Sequence, residues 1–505
     1  VKASALELLG MLGACGGAAT AVIARDRRVQ VAAMAAALVI APILVAGDVW
    51  DEPRVIDFRH SPAQIAAGAV LAIGALVLLT AAFRRWPGAF PVLAVAVLPL
   101  RVPLEIGGET ANLLVPLYLV IAAGVIARAR VERPPRSEDA WPTRLRWALG
   151  ATLVLYAIQA SYSVDVPNAI ENIGFFLTPF AVLFALLADL DWSAALLRRT
   201  LIAVAAVAAA CALVGIYQYF ARDLFLNPEL FDANELHVYF RVNSVFFDPN
   251  VFGRYLALAL AAIAACLAWG GERRELGIGV AAFALILACL ALSYSLTSFA
   301  ALIAGLATVG ILRWRWRGAA AIAAFGVVSL AALLIAGGTP TSDIQTDRSI
   351  DSGHSDLARG GLVLFGLLDP EPPGAGVARP PLAGEDVGRP IAGYGSGSFG
   401  RAFFDHIEPA RTTVSHSEPI TVAAEQGVIG LMVYVALLVC ALATVLGASA
   451  GASLARAAVA ACFVAILVDS LGYTGFAIDP AMWALLGLGV ALRRSPPGSS
   501  ATIPA

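Results

Sequence analysis

Residues 415–446 read Ser-His-Ser-Glu-Pro-Ile-Thr-Val-Ala-Ala-Glu-Gln-Gly-Val-Ile-Gly-Leu-Met-Val-Tyr-Val-Ala-Leu-Leu-Val-Cys-Ala-Leu-Ala-Thr-Val-Leu. From Pro419 the run is almost wholly apolar, and as one helix it would be ~42 Å long against a hydrocarbon core of about 30 Å. Its first turns must therefore stand above a membrane, tilt, or break near Gly427. On such a helix Glu418, Val422 and Glu425 share one face, with His416 at the N-terminus. Ahead of it lies a long polar interruption, residues 338–418. This segment holds His354, His406 and His416, the arginines Arg348, Arg359, Arg379, Arg389, Arg401 and Arg411, and a glycine-rich run from Gly393 to Gly400.

The rest of the chain is membrane-like. Mean hydropathy is +0.80 and 59% of the 505 residues are hydrophobic, well beyond the range of soluble domains. The expected fold class is an all-α polytopic membrane protein with about 12–15 transmembrane helices and a long extracytoplasmic loop between late helices. Apolar segments fall near 4–23, 29–47, 62–82, 88–104, 111–128, 145–162, 173–189, 200–220, 250–269, 277–294, 297–312, 319–337, 420–446, 453–472 and 477–492. The organisation is N-terminal spans over 1–199, core spans over 200–337 with an external loop at 221–249, the long loop 338–418, and C-terminal spans over 419–505. The first segment lacks a basic flank and a small-residue cleavage site, so it is expected to remain as a span. All six cysteines sit inside apolar segments without metal-ligand spacing, and they read as small core residues.

The net charge of −2 says little about partners, but the placement of the arginines does. Lys2 is the only lysine. Short loops on one side collect 21 arginines, among them Arg25, Arg27, Arg28, Arg128, Arg146 and Arg493; the other side carries twelve, among acids such as Asp48, Asp165 and Asp223. The rule that cytoplasmic loops gather basic residues puts the long loop, and all five histidines, outside.

Two further stretches mark that face. Arg241-Val-Asn-Ser-Val-Phe-Phe-Asp-Pro-Asn250 ends in a helix-start signal, Asp248 as N-cap acceptor and Pro249 at the first helical position. Arg254 follows about one turn inside, at the depth where arginine side chains reach for headgroups. Ser293-Tyr-Ser-Leu-Thr-Ser298 joins two spans with almost no loop, and its hydroxyls read first as satisfying backbone groups at a tight turn.

A proton-coupled transporter would place ionisable groups in mid-span, where Asp469 is the main candidate, and a channel would show a polar pore-lining repeat, which is not visible. Arginines and histidines gathered at headgroup level suit another task. A guanidinium binds phosphate oxygens as a fork and stays charged, and an imidazole takes a proton from an attacking hydroxyl near neutral pH. The glycine run lacks the lysine and preceding strand of a nucleotide phosphate loop, and it reads as a turn allowing close packing.

Four elements, taken in order, resemble the O-antigen ligase and polysaccharide polymerase superfamily: Arg241 to Tyr255, the Ser293–Ser298 turn, Pro390-Ile-Ala-Gly-Tyr-Gly-Ser-Gly-Ser-Phe399, and Ser415-His-Ser-Glu-Pro419 running on to Glu425-Gln-Gly-Val-Ile-Gly430. The resemblance covers about residues 200–470. It implies a GT-C-like fold without metal or other cofactor. It also implies an inverting transfer of a glycan from an undecaprenyl diphosphate donor to a glycan or lipid acceptor at the outer face of a bacterial inner membrane, with no nucleic acid involved. By the same resemblance Arg241 would bind diphosphate and His416 would be the catalytic histidine. The family's second arginine aligns with His354, leaving Arg359, one turn on, to supply that charge. Ser417 stands where many relatives have asparagine. Glu418 and Glu425 would assist His416, while Arg254, Asn250 and Tyr394 join the substrate-binding set. The alternative class is a polytopic transporter or lipid flippase with an external gate.

Overall fold

The computed structural model describes residues 3–106, 109–131, 139–225, 230, 234, 240–318, 320, 324, 348–368, 387–408, 415–447 and 450–494; positions 54, 57, 58, 102–106, 109–112 and 348–356 are described by backbone alone. The chain is a multi-pass helical membrane protein: among the described residues, nine helices are long and apolar enough to cross a membrane. The expected span at 319–337 and most of the long loop lie outside the described residues.

The first helices follow local signals. In α1 (Ala5–Ile23), Ser4 and Glu7 form a reciprocal capping box, and in α2 (Arg27–Asp48) the Asp26 carboxylate accepts from the amides of Arg28 and Val29. After α3 (Pro53–Arg59) and the span α4 (Pro62–Arg85), the expected span 88–104 is corrected: α5 is only Ala89–Ala96. Pro99 and Pro103 remove amides that a longer helix would need. The chain turns instead into a two-stranded antiparallel hairpin, β1 (Val102–Ile106) paired with β2 (Glu109–Leu113), Val102 opposite Leu113, so the fold is helical apart from this hairpin. Arg101 stands where the helical segment gives way to the strand.

The chain continues through α6 (Val115–Arg128), α7 (Ala140–Ala160), α8 (Val166–Glu171), a π-helical turn at Asn172–Leu177 and α9 (Thr178–Ala188). Residues 177–188 are all buried, which makes α9 the central element of the bundle. Next come α10 (Ala194–Ala221), α11 (Pro249–Trp269), α12 (Arg273–Leu292) and α13 (Leu296–Trp314). Two helices of the polar interruption follow, α14 (Arg348–Phe365) and α15 (Phe399–His406), and then α16 (Glu418–Val445), α17 (Leu454–Asp469) and α18 (Pro480–Leu492).

Small residues allow the spans to approach, as is usual where lipid supplies no hydrophobic drive between helices. An added Cβ on Gly305 of α13 would meet Ala261 Cβ of α11 at 3.0 Å and the Ala461 carbonyl of α17 at 3.3 Å, and one on Gly487 of α18 would meet the Phe184 carbonyl of α9 at 2.9 Å. These contacts tie the later spans to the earlier ones in one core.

Helix ends sort into two groups. At one end Arg146 pairs with Asp189 at 3.1 Å, Gln30 donates to the same carboxylate at 2.9 Å, Arg27 donates to the Arg128 carbonyl and Arg494 to the Leu190 carbonyl. Loops that carry the 21 arginines thus meet one another. The opposite end gathers residues 241–250, 293–298, 415–418 and 470–479, and it is called the cap end below.

A small core covers part of the cap end: Leu357, Val363 and Leu364 of α14, Tyr394, Phe399 and Phe403, closed by Ala424 of α16. The glycine run stitches it down. Helix α16 is broken at Gly427 (φ 64°, ψ −163°), and the opened backbone accepts from Tyr394 N at Ala424 O (3.1 Å) and from Gly395 N at Glu425 O (2.8 Å), while Val428 N donates to Pro390 O (2.7 Å). Of the three expected ways to fit an overlong helix, the chain takes the break. Gly395 has φ +97°, and a Cβ there would collide with the Ser163 backbone, so the glycine run is the close-packing turn anticipated from the sequence. We expect Gly395→Ala to lower stability by at least about 2 kcal/mol, from strain and overpacking together. Gly74→Ala, with open space around it, serves as the control. Thermal unfolding in detergent compares the two, and equal midpoints would refute the stitch.

Candidate functional site

Asp248 caps α11 as the sequence predicts: its Oδ1 accepts from the amides of Asn250 (2.6 Å) and Val251 (3.2 Å), with Pro249 at the first helical position. The preceding loop is held as firmly as a core. Gln218 of α10 donates to the Ser244 carbonyl (2.9 Å) and accepts from its amide (2.6 Å), and Val242, Asn243 and Ser244 are buried. Arg241 is thereby fixed at the cap end, its Nε on the Ser293 carbonyl (3.1 Å) and one terminal nitrogen on Asn250 Oδ1 (3.0 Å). Asn250 therefore orients Arg241. The Ser293–Ser298 turn serves the same purpose: Ser293 Oγ donates to Leu290 O, and Ser295 and Ser298 hydroxyls bond each other at 2.8 Å.

His416 sits one residue before the cap of α16 with φ 55°, in the left-handed region. Ser415 holds that turn, its hydroxyl donating to the Ser417 carbonyl (2.7 Å) and accepting from the Ser417 amide (3.0 Å). The imidazole lies 5.9 Å, centroid to centroid, from the Tyr473 ring in the turn between α17 and α18. Burial first, then the Asp248 carboxylate, pushes the Tyr473 hydroxyl well above its ordinary value. It stays protonated beside the Asp248 carboxylate. A continuous path results, from the His416 ring to Tyr473, to Asp248, to Asn250 and to Arg241, which joins two candidates far apart in sequence.

The other candidates take different places. Glu418 and Glu425, expected to assist His416, turn their carboxylates to backbone amides. One Glu418 oxygen accepts from Gly475 N (2.8 Å) and Phe476 N (3.2 Å), fixing the Tyr473 turn to the start of α16. Glu425 accepts from Gly397 N (2.8 Å) and Phe399 N (3.0 Å), anchoring the glycine run and the first turn of α15. Each carboxylate satisfies backbone donors that have no helical partner. Tyr394 is part of the cap core, under Arg389 at 4.3 Å and beside His406 at 5.1 Å, with its hydroxyl on the Val387 carbonyl. Arg359 is exposed on α14, whose buried face is formed by Leu357, Gly360, Gly361 and Leu364. The side chain of His354 lies outside the described residues.

Arg254 does not reach for headgroups. It is 3% exposed and binds Asp469 (2.5 Å), Asp479 (3.2 Å) and the carbonyls of Tyr473 (3.0 Å) and Thr474 (3.2 Å). Asp469, the transporter candidate, is the main partner in this pair.

Two features escaped the sequence reading. Arg101 reaches the same cluster, its guanidinium 5.7 Å from the Phe246 ring, with Asp248, Tyr473, Asp479 and Tyr118 as its charged and polar neighbours. Burial lowers its pKa, partly offset by those groups. Its position next to Pro99 and Pro103, at the end of an apolar run, was the available signal. The second is an apolar cavity of about 170 Å³ within the membrane-spanning region, bounded by α5, α9, α10, α11, α17 and α18. Val95, Leu98 and Tyr255 are among its lining residues, and the Tyr255 ring lies 5.3 Å from Phe246. No family model and no curated protein matches the sequence.

The Arg254 network yields a stability prediction. Arg254→Ala leaves two carboxylates facing each other in a dry site and is expected to cost about 3–5 kcal/mol, whereas Arg254→Met with Asp469→Leu recovers much of it. Detergent melting curves of the single and double variants decide this, and a single variant as stable as wild type would remove the network from its structural role.

Proposed function

We propose that the chain is a glycosyltransferase of the O-antigen ligase and polysaccharide polymerase type, acting at the outer face of a bacterial inner membrane on a glycan carried by undecaprenyl diphosphate. The observation that carries this reading is the path from His416 through Tyr473, Asp248 and Asn250 to Arg241. It brings an imidazole and a guanidinium to one cap end, which supports a reaction that needs a base and a cation for a departing diphosphate. The apolar cavity below supports it, since a long isoprenoid donor needs a seat for its tail in the same region.

In this reading His416 takes the proton of an acceptor hydroxyl as that oxygen attacks the anomeric carbon. The bond from that carbon to the phosphate oxygen breaks, the diphosphate leaves with the electron pair, and Arg241 stabilises the charge that develops there. Direct displacement inverts the anomeric centre. Asn250 and the Ser293 carbonyl keep the guanidinium aimed, while Glu418 and Glu425 act as positioning residues for the His416 turn and the cap.

The test is a reconstituted reaction with lipid-linked oligosaccharide, comparing wild type with His416→Ala and Arg241→Ala at equal membrane levels. Loss of the imidazole should slow glycan transfer by about 10²- to 10⁴-fold. Accumulating short lipid-linked repeats would specify a polymerase, and long chains left on the carrier a ligase. Lipid or solute flux across liposomes that survives His416→Ala, with no glycan transferred by wild type, would overturn the reading in favour of a transporter.

A further inference from the structure

At the cap end the described arginines differ in what holds them. Arg254 is matched by two carboxylates and two carbonyls, and Arg241 by the Ser293 carbonyl and Asn250. Arg101 has none of this. Among the described residues no carboxylate or carbonyl bonds its guanidinium, and its Nε, closed off from solvent, meets no acceptor. Asp479 and Asp248, the acids that act on it among the described residues, are engaged elsewhere, with Arg254 and with the first amides of α11. Arg101 is half-buried, so its guanidinium carries its charge at the edge of the apolar interior with part of the fork open to an incoming anion.

The surroundings say which anion. Arg101 lies over Phe246, and on the same ring packs Tyr255, whose buried hydroxyl also meets no partner among the described residues. Tyr255 and two residues of the segment leading up to Arg101, Val95 and Leu98, line the apolar cavity. An unmatched guanidinium therefore stands at the polar limit of a hydrocarbon-lined space. The fitting ligand is amphiphilic, with an anionic head and an apolar chain, and phosphate oxygens match the guanidinium fork.

We infer that Arg101 is a further phosphate-binding residue, gripping the diphosphate head of a prenyl lipid whose first isoprene units enter the cavity beneath it. This inference rests on the proposed function and adds to it a contact from the early part of the chain, far in sequence from Arg241. Phosphate oxygens meet the terminal nitrogens of the guanidinium, and the cavity selects a lipid over free pyrophosphate. Arg101 would act as a binding and positioning residue, with no proton to move.

The experiment measures binding of a farnesyl diphosphate probe to full-length protein in nanodiscs, with farnesol and inorganic pyrophosphate as separate probes, for wild type, Arg101→Gln and Arg101→Lys. Wild type should bind the diphosphate lipid at least tenfold more tightly than farnesol or pyrophosphate. Arg101→Gln should lose at least tenfold for the diphosphate lipid and nothing for farnesol, and Arg101→Lys should recover part of the loss. Removing an unmatched cation should leave the unliganded melting temperature unchanged or raised, and the lipid should stabilise wild type but not Arg101→Gln. Equal binding by wild type and Arg101→Gln would overturn the inference and leave the glycosyltransferase reading standing. No preference of wild type for the diphosphate lipid over farnesol would overturn both. A fall in the melting temperature of unliganded Arg101→Gln, with farnesol binding lost as well, would make Arg101 a structural residue and refute the phosphate contact.

Discussion

The buried pair of Arg254 with Asp469 and Asp479 is the constraint on which the cap end depends. It joins the second turn of α11 to the end of α17 and the start of α18, and it grips the intervening turn by two carbonyls. Charges so far from water hold only when geometry supplies every partner. That requirement fixes where Tyr473 stands, and Tyr473 in turn sets the distance between the His416 turn and the Asp248 cap. A site residue can thus be placed by an ion pair that never meets a substrate.

Around this anchor the chain uses side-chain acceptors to organise backbone. Asp248 caps α11, Glu418 binds the amides of Gly475 and Phe476, and Glu425 binds those of Gly397 and Phe399. Carboxylates that looked like partners for an imidazole are taken up by orphan amides, because such donors have no water to turn to at that depth. Arg101 has no such arrangement among the described residues, its Nε meeting no acceptor.

Local features were legible in the sequence. The Asp248-Pro249 start of α11 was readable because capping depends on neighbours in the chain, and the break at Gly427 because a helix of that length exceeds the membrane. Most spans declared themselves by length and hydropathy. The segment 88–104 did not, since an apolar run records where a chain can be buried but not whether Pro99 and Pro103 let it stay helical. Pairings across the bundle were hidden for a different reason. Nothing near Arg254 in the sequence points to Asp469 or Asp479, and nothing near Glu418 points to Gly475, because those contacts exist only once spans are packed.

The seam between cap and membrane at Gly427 joins peptide groups of Pro390, Tyr394, Gly395, Ala424, Glu425 and Val428, and adds two side chains, the Glu425 carboxylate and the Gln426 amide. A joint of that kind places little demand on side-chain identity beyond the glycines that permit the approach and the Glu425 and Gln426 side chains that pin it. Mutation can therefore rewrite the outer surface of the cap, and with it whatever that surface discriminates, while its register over the spans is inherited unchanged. Diversification and mechanical attachment are separated in this chain, and the glycines are where drift should be slowest.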